Sequence, residues 1–138
     1  MIASALRLDA RERVQALRAL GWLVGATAAV RVVPYATLTR AMTRIGPGGS
    51  GAVITPEACA AAIRRAARIW PAGCLPQAIA ASCLLRRAGL TPRLTLGVSQ
   101  TDARFDAHAW LECNGVVVTG AATDRHYTPL TAGGRQTR

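Results

Sequence analysis

Apolar residues recur at three- and four-residue spacing through residues 9–33: Val14, Leu17, Leu20 or Gly21, Val24 and Ala28, with Arg11, Arg13 and Arg18 largely off that stripe. This is the period of a helix with one apolar side, and Pro34 ends it. Residues 37–45 repeat the pattern on a smaller scale, with Leu38, Met42 and Ile45 on one side. The run Gly46-Pro47-Gly48-Gly49-Ser50-Gly51 then reads as a loop or linker. Thr55-Pro56-Glu57 combines a capping hydroxyl, a proline for the first helical position and an acid for the first turn. The helix it starts runs to about Trp70, with Cys59, Ile63, Ala66 and Trp70 on its apolar side and Arg64, Arg65 and Arg68 opposite. Pro71-Ala72-Gly73 breaks the chain, and a further helix runs from near Cys74 to Arg87, with Gly89 placed to stop it.

After Pro92 the period changes to two. Leu94, Leu96 and Val98 alternate with Arg93, Thr95 and Gly97, which predicts a strand. Residues 107–113 predict a second strand, Asn114-Gly115 a tight hairpin turn, and residues 116–118 a third strand. The order is helices and then an antiparallel meander, an α+β fold. The expected organisation is an N-terminal helical region at 1–45, a core at 52–130 and a flexible tail at 131–138.

The chain has 138 residues, room for one domain with a substantial core. An apolar fraction of 51% excludes disorder as the dominant state. The net charge of +10 raises the possibility of a nucleic-acid partner. All the basic residues are arginine, a pattern that compositional bias produces without any functional demand. No nucleic-acid-binding motif or basic arm accompanies the charge, and the few aromatics are scattered. No nucleic-acid or membrane partner is therefore expected. The apolar stretch between Arg18 and Arg31 is shorter than the ~20 residues a span needs. The four cysteines form no CxxC pair and no finger spacing with histidine, so neither metal nor cofactor is expected. A chain of this size has no need of disulfides, and the expected compartment is a reducing cytoplasm.

Two residues stand apart chemically. Cys74 lies at a helix N-terminus, where free N–H groups and the dipole favour an anion. Pro76 disfavours helix at residue 75, so Cys74 either opens the helix or sits just outside it, and is at the positive end in both cases. On the strand at 107–113, His108, Trp110 and Glu112 share one face, and Ala109, Leu111 and Cys113 share the other. A polar front over a small, apolar back suits a strand that lines a cleft. A thiol at a helix end facing a histidine on a sheet is the layout of a nucleophile and its base. Cys59, Cys83 and Cys113 read as core residues.

The segment 63–120 resembles the lasso peptide biosynthesis B2 proteins, small transglutaminase-like leader peptidases. The resemblance lies in Pro71-Ala72-Gly73-Cys74-Leu75-Pro76-Gln77-Ala78, Leu84-Leu85-Arg86-Arg87-Ala88-Gly89, Leu96-Gly97-Val98 and Ala107-His108-Ala109-Trp110-Leu111-Glu112, followed in step by the Asn114-Gly115 turn. It implies a papain- or transglutaminase-like core with Cys74 as nucleophile and His108 as base. It further implies a peptidase that frees a lasso precursor of its leader, acting on a precursor peptide with a separate leader-recognition protein, B1, and a lactam-forming cyclase. The apolar N-terminal helix is then a docking surface for B1 or the leader.

The third catalytic member departs from the family pattern, which has an aspartate where this chain has Thr119-Gly120. With an ideal two-residue turn, Cys113 pairs with Val116, His108 falls opposite Ala121, and Thr119 lies on the His108 face. Asp124 is the nearest acid and the favoured third member; a hydroxyl, a carbonyl or a water is the alternative, and His126 reads as a surface residue. Gln77 is a candidate oxyanion donor beside the Cys74 backbone N–H, Trp110 a cleft wall, and Glu112 a nearby hydrogen-bonding group. The competing readings are a transglutaminase-like scaffold without catalysis and a basic nucleic-acid-binding module.

Overall fold

The computed structural model describes residues 8–48, 53–101, 104–120 and 128–130. These form four helices, α1 (Ala10–Val32), α2 (Tyr35–Thr43), α3 (Pro56–Ile69) and α4 (Cys74–Arg87), followed by strands β1 (Arg93–Thr101), β2 (Arg104–Cys113), β3 (Val116–Thr119) and β4 (Thr128–Leu130). The strands make one antiparallel sheet in the order β3-β2-β1-β4. The α+β fold read from the sequence is the fold observed.

Local chemistry accounts for the helix ends. Asp9 caps α1 in a reciprocal box: its side chain accepts from the Glu12 N–H at 2.7 Å, and Glu12 accepts from the Asp9 N–H at 3.0 Å. Thr55 caps α3 by accepting from the Ala58 N–H at 3.1 Å, with Pro56 as the first helical residue. Gly89, at φ +83°, lets the chain turn away after α4, in the left-handed conformation that costs glycine least.

Helix α4 is the centre of the molecule. Every residue from Ala78 to Leu85 is buried, Ser82 included, and a helix enclosed on all sides is a core element. α1, α3 and the strands β1–β3 all pack on it. The small residues Ala19 and Ala26 of α1 and Ala60, Ala62 and Ala66 of α3 are buried in this core with Leu23, Ile63 and Leu85. Their size lets the helix backbones approach closely.

Three expectations change. In α1 the buried residues are Ala19, Leu23 and Ala26, whereas Val14, Leu17 and Val24 of the expected stripe are exposed, Leu17 at 68%. Apolar residues ring this helix, so periodicity could not choose between its faces, and the alanine-lined side packs more closely. Trp70 is not part of the α3 apolar side: it is the exposed C-cap residue, and its Nε1–H donates to Thr27 Oγ1 at 3.2 Å. The sheet gains a strand, the three-residue β4 pairing with the outer side of β1. It is too short to show a period and contains Pro129, a residue confined to sheet edges.

The register of the second hairpin also differs. Cys113 pairs with Val116 as expected, and Glu112 with Val117, but the next pair is Leu111 with Thr119. One residue is inserted in β3, a β-bulge, and Val118 and Thr119 are consequently buried in succession. Thr119 therefore lies on the Leu111 face and not on the His108 face. Its Oγ1 is buried with no hydrogen-bond partner among the described residues. An unpaired buried hydroxyl is destabilising, so Thr119→Val should raise stability by about 1 kcal/mol in a denaturant titration. A loss of stability would mean that the hydroxyl is bonded.

Candidate active site

Cys74 is the first residue of α4, and Gly73 is the N-cap residue. Pro76 does not displace the start. At the third helical position it lacks only an N–H that has no carbonyl one turn earlier. The first regular bond of the helix runs from Gln77 N–H to the Gly73 carbonyl at 3.3 Å. Because α4 is buried, its N-terminus is fixed against the sheet, and with it the Cys74 thiol.

The thiol meets β2 at a specific place. Among the described residues the β2–β3 pairing ends at Leu111 with Thr119. Two residues further back along β2, the Ala109 N–H is donated to Cys74 Sγ at 3.4 Å. Ala109 is fully buried and follows His108 in the chain. A half-buried thiol is thus seated on the backbone of the histidine strand.

His108, Trp110 and Glu112 are all half-buried, whereas the alternate residues Ala109, Leu111 and Cys113 are buried. The His108 and Trp110 rings stack with centroids 6.1 Å apart and planes inclined by 25°. On β1, Gly97 stands opposite His108 and Arg93 opposite Glu112. His108 Nε2 lies 3.0 Å from the Gly120 carbonyl oxygen. Gln77 Nε2 donates to the Ala72 carbonyl at 2.7 Å and fastens the segment that leads into α4. Asp124 and His126 lie outside the described residues.

Sequence reasoning missed Gly120. It has φ +69°, and a Cβ built on it would collide with the Ala109 carbonyl and approach the Trp110 Cβ to 2.9 Å. The signal was present: a glycine closing a Val-Val-Val-Thr strand marks a bulge or a close backbone approach.

The other thiols have a different environment. Burial pushes Cys59 up to about 12, with Cys113 nearby adding to the effect, and its Sγ lies 3.7 Å from the Ala81 carbonyl. Burial pushes Cys83 up to about 11 against the opposing effect of Arg86. Cys113 is raised by burial and then by Glu57. These thiols are packed as neutral groups, and packed neutral thiols are inert.

The family model of the transglutaminase-like superfamily core matches residues 5–132 of the chain, which takes in the N-terminal helices as well as the Cys74 and His108 elements. No curated protein and no solved structure matches the chain.

Native protein treated with iodoacetamide near pH 8 should be alkylated at Cys74, with Cys59, Cys83 and Cys113 modified only after unfolding; peptide mass mapping reads the order. Modification of Cys59 or Cys83 ahead of Cys74 would contradict the burial described. The raised values also set a pH dependence. The folded state keeps the Cys59 and Cys83 protons above the ordinary thiol value of 9.0, where the unfolded chain releases them. Their contribution to stability is therefore complete below pH 9.0 and lost as pH climbs through about 11 and about 12. Denaturation midpoints across that range check the sign.

Proposed function

The chain belongs to the transglutaminase-like superfamily, and on that premise we propose that it is a cysteine peptidase that removes the leader from a lasso peptide precursor. The observation that carries the reading is the seat of Cys74 Sγ, at the first position of a buried helix and 3.4 Å from the backbone of the residue after His108. The sequence stretches around Cys74 and His108 that resemble the B2 leader peptidases give the reading its substrate.

In this mechanism the Cys74 thiolate attacks the carbonyl carbon at the end of the leader. The helix dipole and the Ala109 N–H both favour negative charge on sulfur. Attack opens the carbonyl to a tetrahedral intermediate whose oxyanion takes hydrogen bonds from the N–H groups of Cys74 and Leu75, which lie too early in the helix to have carbonyl partners within it. Protonated His108 gives its proton to the departing core-peptide amine as the C–N bond breaks, which leaves a leader thioester on Cys74. His108 then takes a proton from water, hydroxide adds to the thioester carbonyl, and the leader leaves as a carboxylate with the thiol restored.

Other side chains have supporting places in this reading. Trp110, stacked on His108, walls the cleft. Gln77 holds the Ala72 carbonyl and so steadies the approach to the nucleophile. Glu112, facing Arg93 across the strands, borders the far end. The partners are the precursor peptide, the leader-recognition protein B1 and the cyclase that closes the ring on the freed amine. The exposed Val14, Leu17 and Val24 of α1 supply apolar surface for contact with B1. No helix among the described residues is long and apolar enough to cross a membrane.

Cys74→Ala should abolish release of the leader from the cognate precursor in the presence of B1, while Cys59→Ala, Cys83→Ala and Cys113→Ala, where folded, retain it. His108→Ala should reduce turnover by a factor of about 100 or more. Mass spectrometry of the freed leader and core reads both. Undiminished cleavage by the Cys74 variant would remove the mechanism and leave the non-catalytic scaffold.

A further inference from the structure

We propose that the main-chain carbonyl of Gly120 is the group that orients His108 and fixes its tautomer, with the hydrogen on Nε2 and the basic lone pair on Nδ1. Only the use of that lone pair depends on the peptidase reading; the orientation itself stands on geometry.

The first argument is one of donors and acceptors. A carbonyl oxygen accepts and cannot donate, so a neutral imidazole with Nε2 at 3.0 Å from the Gly120 oxygen carries its hydrogen on that nitrogen. In neutral imidazole the other nitrogen then bears the lone pair. In a serine-protease triad the same task of holding tautomer and ring orientation falls to a buried carboxylate. The Gly120 carbonyl is a backbone dipole placed at Nε2 for that task.

The second argument concerns how the carbonyl reaches the ring. An ideal hairpin would place Val118 opposite Leu111. The bulge places Thr119 there, advances the chain by one residue and sets Gly120 beside Ala109 and Trp110 of β2. The conformation at φ +69° then aims the carbonyl at His108. Few other residues could adopt it, because the left-handed region is strained for side chains. No other residue would fit either, since a Cβ would collide with the Ala109 carbonyl and crowd the Trp110 Cα at 3.0 Å. The neighbouring hydroxyl is excluded as the acceptor, because Thr119 faces the core with Leu111. Stacking on Trp110 supports the ring from the side. Gly120 is thus a positioning residue that acts through its backbone.

Because Gly120→Ala is expected to misfold, the test keeps Gly120 and Trp110 as they are and reads the ring directly. In ¹⁵N-labelled protein carrying His126→Gln, one imidazole remains, and long-range ¹H–¹⁵N correlation above its titration reports the tautomer. The expected result is a single Nε2–H form; an Nδ1–H form or a rapidly exchanging mixture overturns the proposal. In semisynthetic protein with L-lactate in place of Ala121, the 120–121 amide becomes an ester, whose carbonyl is a weaker acceptor. The Nε2–H population should fall there, and an unchanged population would show that the carbonyl does not set it. Asp124→Asn should leave the Nε2–H form in place; its loss would assign the orienting role to the Asp124 carboxylate and sink the proposal. Cys74→Ala protein should keep the same tautomer whether or not it cleaves precursor, so failure of the peptidase reading and failure of this one are separately visible.

Discussion

Everything at the site depends on the burial of α4. A helix enclosed by two other helices and a sheet cannot rotate or slide without opening the core, so the position of its first residue is set by packing along its whole length. Cys74 is that first residue. The small side chains of α1 and α3 strengthen the constraint, because close-packed alanines leave little room for adjustment. N–H groups in the first turn of such a helix have no carbonyl partner within it and are held in place by the packing. Preorganised donors of this kind are what stabilise charge developing on a reacting oxygen.

The sheet contributes through an irregularity. A regular hairpin would have continued the β2–β3 ladder and buried another apolar residue opposite Leu111. The inserted residue instead turns Thr119 into the core and brings the Gly120 carbonyl to His108. Beyond the last described pair, the Ala109 N–H is donated to the Cys74 thiol. The histidine and the N–H that meets the thiol thus belong to neighbouring residues of one strand, β2. The Thr119 hydroxyl, buried with no hydrogen-bond partner among the described residues, is a local cost of the bulge.

The distribution of charge and sulfur fits the same division. Three of the four thiols lie in the core and are driven toward their neutral forms by burial. Cys74 alone among them is half-exposed. The arginines of α3 lie on its outer side, where Arg65 reaches Glu12 of α1 at 3.7 Å across half-exposed surface, a contact of small energetic weight. Val14, Leu17 and Val24 of α1 are exposed apolar residues on the helical side of the molecule.

The sequence by itself determined the order of elements, because helix caps, proline breaks and the shift from a period near four to a period of two are local properties. Thr55-Pro56, the stop at Gly89 and the Asn114-Gly115 turn required nothing distant to be read correctly. It also singled out Cys74 and His108, since a helix start and strand alternation place them without knowledge of packing. It could not choose the buried face of α1, because apolar residues ring that helix and the choice fell to the closer contact its alanines allow. It could not show the short edge strand β4, whose pairing is made by β1 and not by its own three residues. Nor could it show that a backbone carbonyl meets His108. Side-chain chemistry is written in the sequence, but every residue carries the same carbonyl. Only the register of two strands, shifted by a bulge, decided that the carbonyl reaching the imidazole belongs to Gly120.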